Sequence, residues 1–232
     1  MDKYVLIVAG GKGLRMGGDL PKQFIPMRGK PLLMHTLEAF HRWDASARII
    51  LVLPEDQQPY WNMLCKEIGC KVPHAIVKGG DTRFFSVKNG LDWLLAERRR
   101  KGEEDSGLSL VAVHDGVRPF VSPEVVEACF DKAAVTGAVI PVVPMIDSLR
   151  ETDEKGSHPV DRSRYMAVQT PQVFLLELLT KAYEQPYSSL FTDDASVVEA
   201  MGHAIDTVPG DRENIKITTP FDLLIAEAMF AR

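Results

Sequence analysis

The 232-residue chain has only three cysteines, Cys65, Cys70 and Cys129, an odd number without CxxC spacing. That excludes a disulfide framework and speaks against a zinc site. No apolar run approaches the roughly 20 residues needed to cross a bilayer. Met1-Asp2-Lys3 leads into a short apolar run that ends at Ala9 before glycines, too short for a secretory leader, so the cytoplasm is the expected compartment. Positive charge is not in excess: 27 basic against 32 acidic residues leave a net charge of -5. Neither nucleic acid nor membrane is therefore an expected partner, and an anionic ligand must be held by a local cluster of cations. The chain also lacks internal repeats and low-complexity segments.

What is present alternates between strand-like and helix-like segments. Tyr4 to Ala9, Arg48 to Leu53, Val72 to Val77, Leu108 to Val113 and Ala138 to Val143 read as buried strands. Helical spacing appears at Leu32 to Phe40, Gln57 to Ile68, the segment after GGDTR, Ser122 to about Ala134, Leu175 to Tyr183 and Asp193 to Met201. RRRKGEEDSG reads as a solvated loop. Ser122-Pro123 and Thr219-Pro220-x-Asp222 are helix starts, each with a hydroxyl cap and proline in the first position. Ala204 to Val208 and Ile215 to Ile217 read as late strands. Residues 145–165 are polar and of mixed charge, and read as an arm or hairpin leaving the body. The pattern predicts an α/β chain, a mostly parallel twisted sheet with helices on both faces. Ligands in such sheets bind beyond the carboxyl ends of the strands. That expectation puts residues 10–18, 79–83 and 114–118 on one rim.

The first of those loops, GGKGLRMGGDLPK, holds five glycines and the cations Lys12, Arg15 and Lys22. Glycines bring backbone N–H groups close to phosphate oxygens, and cations act where phosphoryl chemistry gathers negative charge. No GK[ST] ends the loop, so it is not a Walker sequence, and GxGxxG fails after Gly13. A tight turn with solvated basic side chains is the bland alternative. Asp115, just past a strand end beside Arg118, has two readings: it holds magnesium, directly or through water, or it pairs with Arg118 or a helix end.

Taken in order, AGGKGLRMG, PKQF, GGDTRFFSV, HDGVRPF, VDRSRYMAVQTPQ, TDDAS and ENIKIT resemble the 2-C-methyl-D-erythritol 4-phosphate cytidylyltransferase family, from about Tyr4 to Ala228. The resemblance implies a single three-layer, Rossmann-like nucleotidyltransferase domain over residues 1–232, with the arm at about 145–165 inserted for dimerisation. It implies transfer of CMP from CTP to a small polyol phosphate with release of pyrophosphate, and Mg2+ as cofactor. Arg15 and Lys22 fall on the family's catalytic cations. Ala9, Gly10, Gly11, Gly13, Gly79, Gly80, Asp81 and Ser86 fall around the nucleotide, with Asp115 beside it. Arg118, Arg162, Thr170, Asp193 and Lys216 fall on the acceptor side, with Arg162 serving the neighbour's site in a homodimer. His114 reads as structural, because an anionic phosphate nucleophile needs no strong base. The loop departs from the commoner AAG and HDAxRP forms, having Ala9-Gly10-Gly11 and Gly116. Ribitol-5-phosphate cytidylyltransferases often share the AGG loop and are the alternative. A nucleotide-binding module without turnover is the reading from a different class.

Overall fold

The computed structural model describes residues 1–10, 20–103, 107–154 and 156–231. Gly11, Lys12, Gly13 and Arg15 of the glycine-rich loop lie outside these residues, as does most of the acidic end of RRRKGEEDSG.

Strand β1 (Asp2–Val8) lies in the middle of the main sheet. It pairs in parallel with β4 (Arg48–Leu53) on one edge and β6 (Ser109–Asp115) on the other. β5 (His74–Lys78) extends the sheet beyond β4, also in parallel. β1 is apolar from Tyr4 to Val8 because both of its faces are covered there. Val5 and Ile7 pack with Leu33, Leu37 and Phe40 of α1 (Leu32–Trp43), Trp61 of α2 (Gln58–Ile68) and Phe130 of α4 (Pro123–Thr136). Tyr4 and Leu6 face the opposite way. They join Val87, Leu91 and Leu94 of α3 (Arg83–Lys101), Leu179 of α5 (Leu176–Ala182) and Val198 of α6 (Asp194–Glu199). Three layers result, with the sheet in the middle.

Chain direction reverses beyond β6. β7 (Ala138–Pro144) runs parallel to β12 (Asp206–Pro209), while β10 (Met166–Val168) and β11 (Gln172–Leu175) run antiparallel along its other edge. β11 also closes against β6, so it sits between β6 and β7. The sequence pattern missed β11, reading Gln172 to Leu175 as the approach to a helix. The run is short and apolar and continues without a break into α5, so periodicity does not separate the two. Ile215 to Ile217 is a second correction. It carries no strand; Ile217 N–H bonds the Val117 carbonyl at 3.0 Å.

The helix starts agree with their local chemistry. Ser122 accepts from Val125 N–H, and Thr219 forms a reciprocal box with Asp222 at the start of α7 (Pro220–Phe230). Two short strands, β2 (Pro26–Met27) and β3 (Lys30–Pro31), pair beside α1. The polar segment folds as a separate hairpin, β8 (Leu149–Asp153) with β9 (Gly156–Val160), whose side chains are mostly exposed. No helix among the described residues is long and apolar enough to cross a membrane.

Candidate active site

From β1 the chain builds outward through α1, β4, α2 and β5, then returns by α3 on the opposite face to place β6 on the other side of β1. The carboxyl ends of β1 and β6 therefore diverge at a switch point, and a cleft opens there. It is lined by Ala9, Gly10, Lys22, Gly80, Asp81, Arg83, Ser86, Asp115 and Lys216, among others. Ala9, Gly10, Gly80, Asp81 and Asp115 lie at strand ends or in the loops just beyond them, Lys22 on a short 3-10 turn, Arg83 and Ser86 in the first turn of α3, and Lys216 in the segment before α7.

One wall is backbone and small side chains. Ala9 N–H donates to Val52 O (3.0 Å) and Gly79 N–H to Leu53 O (2.9 Å), carrying the ladder past the strand ends. Ser86, in the first turn of α3, accepts from Gly80 N–H at 3.0 Å and donates to Thr82 O at 2.9 Å, which holds the Gly79-Gly80 turn against the helix. A Cβ at Gly80 would lie 2.4 Å from Phe85 Cβ, so the turn admits no side chain there. The same holds at the departure from the HDAxRP form: a Cβ at Gly116 would fall 2.8 Å from Ala9 Cβ. Lys22 stands on a short 3-10 turn, Lys22–Phe24. The turn is anchored by Gln23, which donates to Ala9 O (3.0 Å) and to Gln57 Oε1 (2.6 Å), and by Phe24 against Trp61 and Tyr60 of α2.

The other wall is charged. Asp115 ends β6 and is buried. Its Oδ2 accepts from Arg118 Nε at 3.0 Å and pairs with Lys216 Nζ at 3.0 Å. Burial alone would raise its pKa, but Lys216, Arg83 and Arg118 outweigh burial and hold the carboxyl well below the usual range. Of the two sequence readings, ion pairing with Arg118 is therefore present, joined by Lys216. Arg118 also donates to Asn214 O at 2.7 Å, so it braces the cleft from behind Asp115. Thr170 is spent in the same support: its Oγ1 accepts from Asp115 N–H (3.2 Å) and lies 3.1 Å from His114 Nδ1. His114 Nε2 is 3.1 Å from Arg118 O. A carbonyl only accepts, so Nε2 carries the proton and Nδ1 accepts from the Thr170 hydroxyl. Burial pushes the His114 pKa down to about 4. A neutral imidazole with both nitrogens engaged is structural, as the sequence reading held.

Two expected acceptor residues are not among the residues that line the cleft. Asp193 is the N-cap of α6, accepting from Ser196 N–H (2.9 Å) and Gln172 Nε2 (2.8 Å). Arg162 follows the hairpin, is exposed, and donates to Ile146 O. Conversely, sequence reasoning passed over Arg83. Its guanidinium makes two bonds to the fully buried Asp194, 2.8 and 2.6 Å, and Tyr183 Oη donates to the same carboxylate at 2.6 Å. Arg83 ends the GGDTR motif, a cation directly after the glycine pair, and that position was the available signal.

For Mg2+, the residues fit a shared site better than a protein cage. No cluster of three or more His, Cys, Asp or Glu suited to a metal occurs among the described residues. Asp115 offers one carboxylate, and magnesium characteristically takes one or two carboxylates together with phosphates and water.

A family model described as 2-C-methyl-D-erythritol 4-phosphate cytidylyltransferase, IspD, matches residues 4–232. A Bacteroides fragilis protein of that name is 56% identical over 229 residues, covering 99% of this chain and 100% of that protein. A Porphyromonas gingivalis protein of the same name is 51% identical over 229 residues, covering 98% and 97%. Among solved structures, the cytidylyltransferase of Thermus thermophilus superposes with a TM-score of 0.74 at 32% identity, covering 100% of both chains.

Proposed function

Because the chain belongs to the 2-C-methyl-D-erythritol 4-phosphate cytidylyltransferase family, we propose roles for the residues of this cleft in that family's reaction. The protein is a nucleotidyltransferase that moves CMP from CTP to 2-C-methyl-D-erythritol 4-phosphate and releases pyrophosphate. The observation that supports the roles is the convergence of Lys22, Arg83 and Lys216 with Asp115 at one sheet rim, opposite a wall of small residues.

An acceptor phosphate oxygen attacks the α-phosphorus of CTP. The new O–P bond forms as the bond to the bridging oxygen of the β-phosphate breaks, and pyrophosphate departs. Lys22 and Arg15 stabilise the negative charge that concentrates in this transition state. The cytosine and ribose rest on the side formed by Ala9, Gly10, Gly80, Asp81 and Ser86, where backbone groups meet the base edge. Lys216, half-exposed and anchored by Asp115, meets the acceptor phosphate. Asp115 would supply the carboxylate for Mg2+, which would add neutralisation of the triphosphate's negative charge. His114 takes no part in proton transfer.

The reading extends to a cytoplasmic homodimer. Arg162 is exposed and does not line its own chain's cleft. The neighbouring Tyr165, Met166 and Val168 are also exposed, at 47%, 46% and 42%, an apolar margin suited to a second copy. The acceptor assignment is tested by pyrophosphate release with CTP and either acceptor in parallel. Release is expected with methylerythritol phosphate and not with ribitol 5-phosphate; the reverse pattern overturns the reading.

A further inference from the structure

Helix α2 ends in a left-handed residue, Gly69, at φ 76°. Gly69 N–H and Cys70 N–H both bond the carbonyl of Cys65, at 3.0 and 2.9 Å. The bond from Cys70 spans the helix end in the manner of a Schellman motif, in which the side chains flanking the left-handed residue come into contact. In most proteins that contact is between two apolar groups. Here both positions of that contact, the third residue from the helix end and the residue after the left-handed glycine, are cysteine, so the motif brings the two side chains together. Both are half-buried and free, and they rest on the edge of the core cluster that includes Trp61 and Val72.

We propose that Cys65 and Cys70 form a dithiol modification site, oxidised by a hydroperoxide to an intrachain disulfide and restored by a small dithiol. Cys70 is the reacting sulfur. Hydrogen bonding from Cys65 and from the Val72 backbone draws the Cys70 thiol below its ordinary value against the opposing effect of burial, while the Cys65 thiol is pushed up, so the thiolate is favoured on Cys70. Glu38 opposes that charge and Lys30 favours it. The Cys70 thiolate attacks the peroxide oxygen, giving a sulfenic acid and hydroxide. Cys65 then attacks the sulfenic sulfur and forms the disulfide. With the protons balanced, two thiols and one hydrogen peroxide give one disulfide and two waters.

The full-length protein is treated with hydrogen peroxide, alkylated, denatured and digested with trypsin. The loop contains a cleavage point after Lys66. Residues 49–66 and 67–71 should therefore leave as one linked pair that dithiothreitol separates. Free thiols measured in denaturant should fall from three to one, with the fully buried Cys129 still reduced. A count that stays at three, or separate sulfinic or mixed adducts on the two peptides, overturns the proposal. In the variants, Cys65→Ser should trap Cys70 as a sulfenic acid, and Cys70→Ser should slow peroxide consumption by about tenfold. Both variants should keep wild-type CTP turnover, which shows that they are folded. Equal peroxide rates in two folded variants overturn the assignment to Cys70.

Discussion

Lys22 shows how a single charge is made useful by its surroundings. The residue is placed by its neighbours, Gln23 on the Ala9 carbonyl and Phe24 against α2, so its backbone is held whether or not the ammonium is present. Lys22→Ala should therefore leave the fold and CTP affinity nearly intact while lowering the single-turnover rate by about 10²-fold or more. A near-wild-type chemical step at saturating substrates would sink the assignment. His114 makes a different residue-scale prediction. Folded, it titrates at about 4 rather than 6.5. Between those values the unfolded chain binds more protons, so stability falls as pH drops through that window. Between pH 7 and pH 5 the loss from this group should be roughly 2 kcal/mol. Asp115 adds a further loss at lower pH, because its depressed pKa stabilises the fold only while the carboxyl is ionised. Urea midpoints of wild type and His114→Gln at the two pH values give the check. His35 and His74 are also held below 6.5 by burial and remain in both proteins, so the difference isolates His114.

At the scale of elements, the hairpin β8–β9 is the piece that its own subunit does not explain. Its side chains are mostly exposed, and among the described residues it pairs with no strand outside itself. Ordering such a segment costs roughly 1–2 kcal/mol of backbone entropy per residue, which contact with a second copy would offset. If Arg162 reaches the partner's cleft, Arg162→Ala and Lys22→Ala lesions lie in different halves of one composite site. Mixing the two inactive variants should recover activity approaching about a quarter of wild type per subunit, since random exchange makes half the dimers mixed and each carries one intact site. Confirmed subunit exchange without recovery would defeat the shared site. The arm is legible in the sequence as a departure from apolar alternation, but the pairing of Leu149–Asp153 with Gly156–Val160 is not.

Across the whole molecule, the Arg83–Asp194–Tyr183 cluster ties α3 to α5 and α6 on one face of the sheet, with Asp194 fully buried. Asp194→Asn leaves the Arg83 charge without its partner and should cost about 3–5 kcal/mol in urea unfolding, against about 1 kcal/mol for Tyr183→Phe. An Asp194→Asn variant within 1 kcal/mol of wild type, on the order of one neutral hydrogen bond, would show that the pair is dispensable. Contacts of this kind mark the boundary of sequence reading. The sequence by itself determined the parallel strands β1, β4 and β6, the caps at Ser122 and Thr219, and the rim positions of Gly10, Gly80 and Asp115. Those features rest on local physics: apolar runs buried on both faces, hydroxyls that bond N–H groups three residues on, and glycines that permit close approach. Only the tertiary structure decided that Gln172–Leu175 is a strand wedged between β6 and β7, that Ile215–Ile217 is not a strand, and that Thr170 and Lys216 hold Asp115. Each depends on a partner some tens of residues away or more, and no local pattern carries information about which distant edge or charge will be free to receive it.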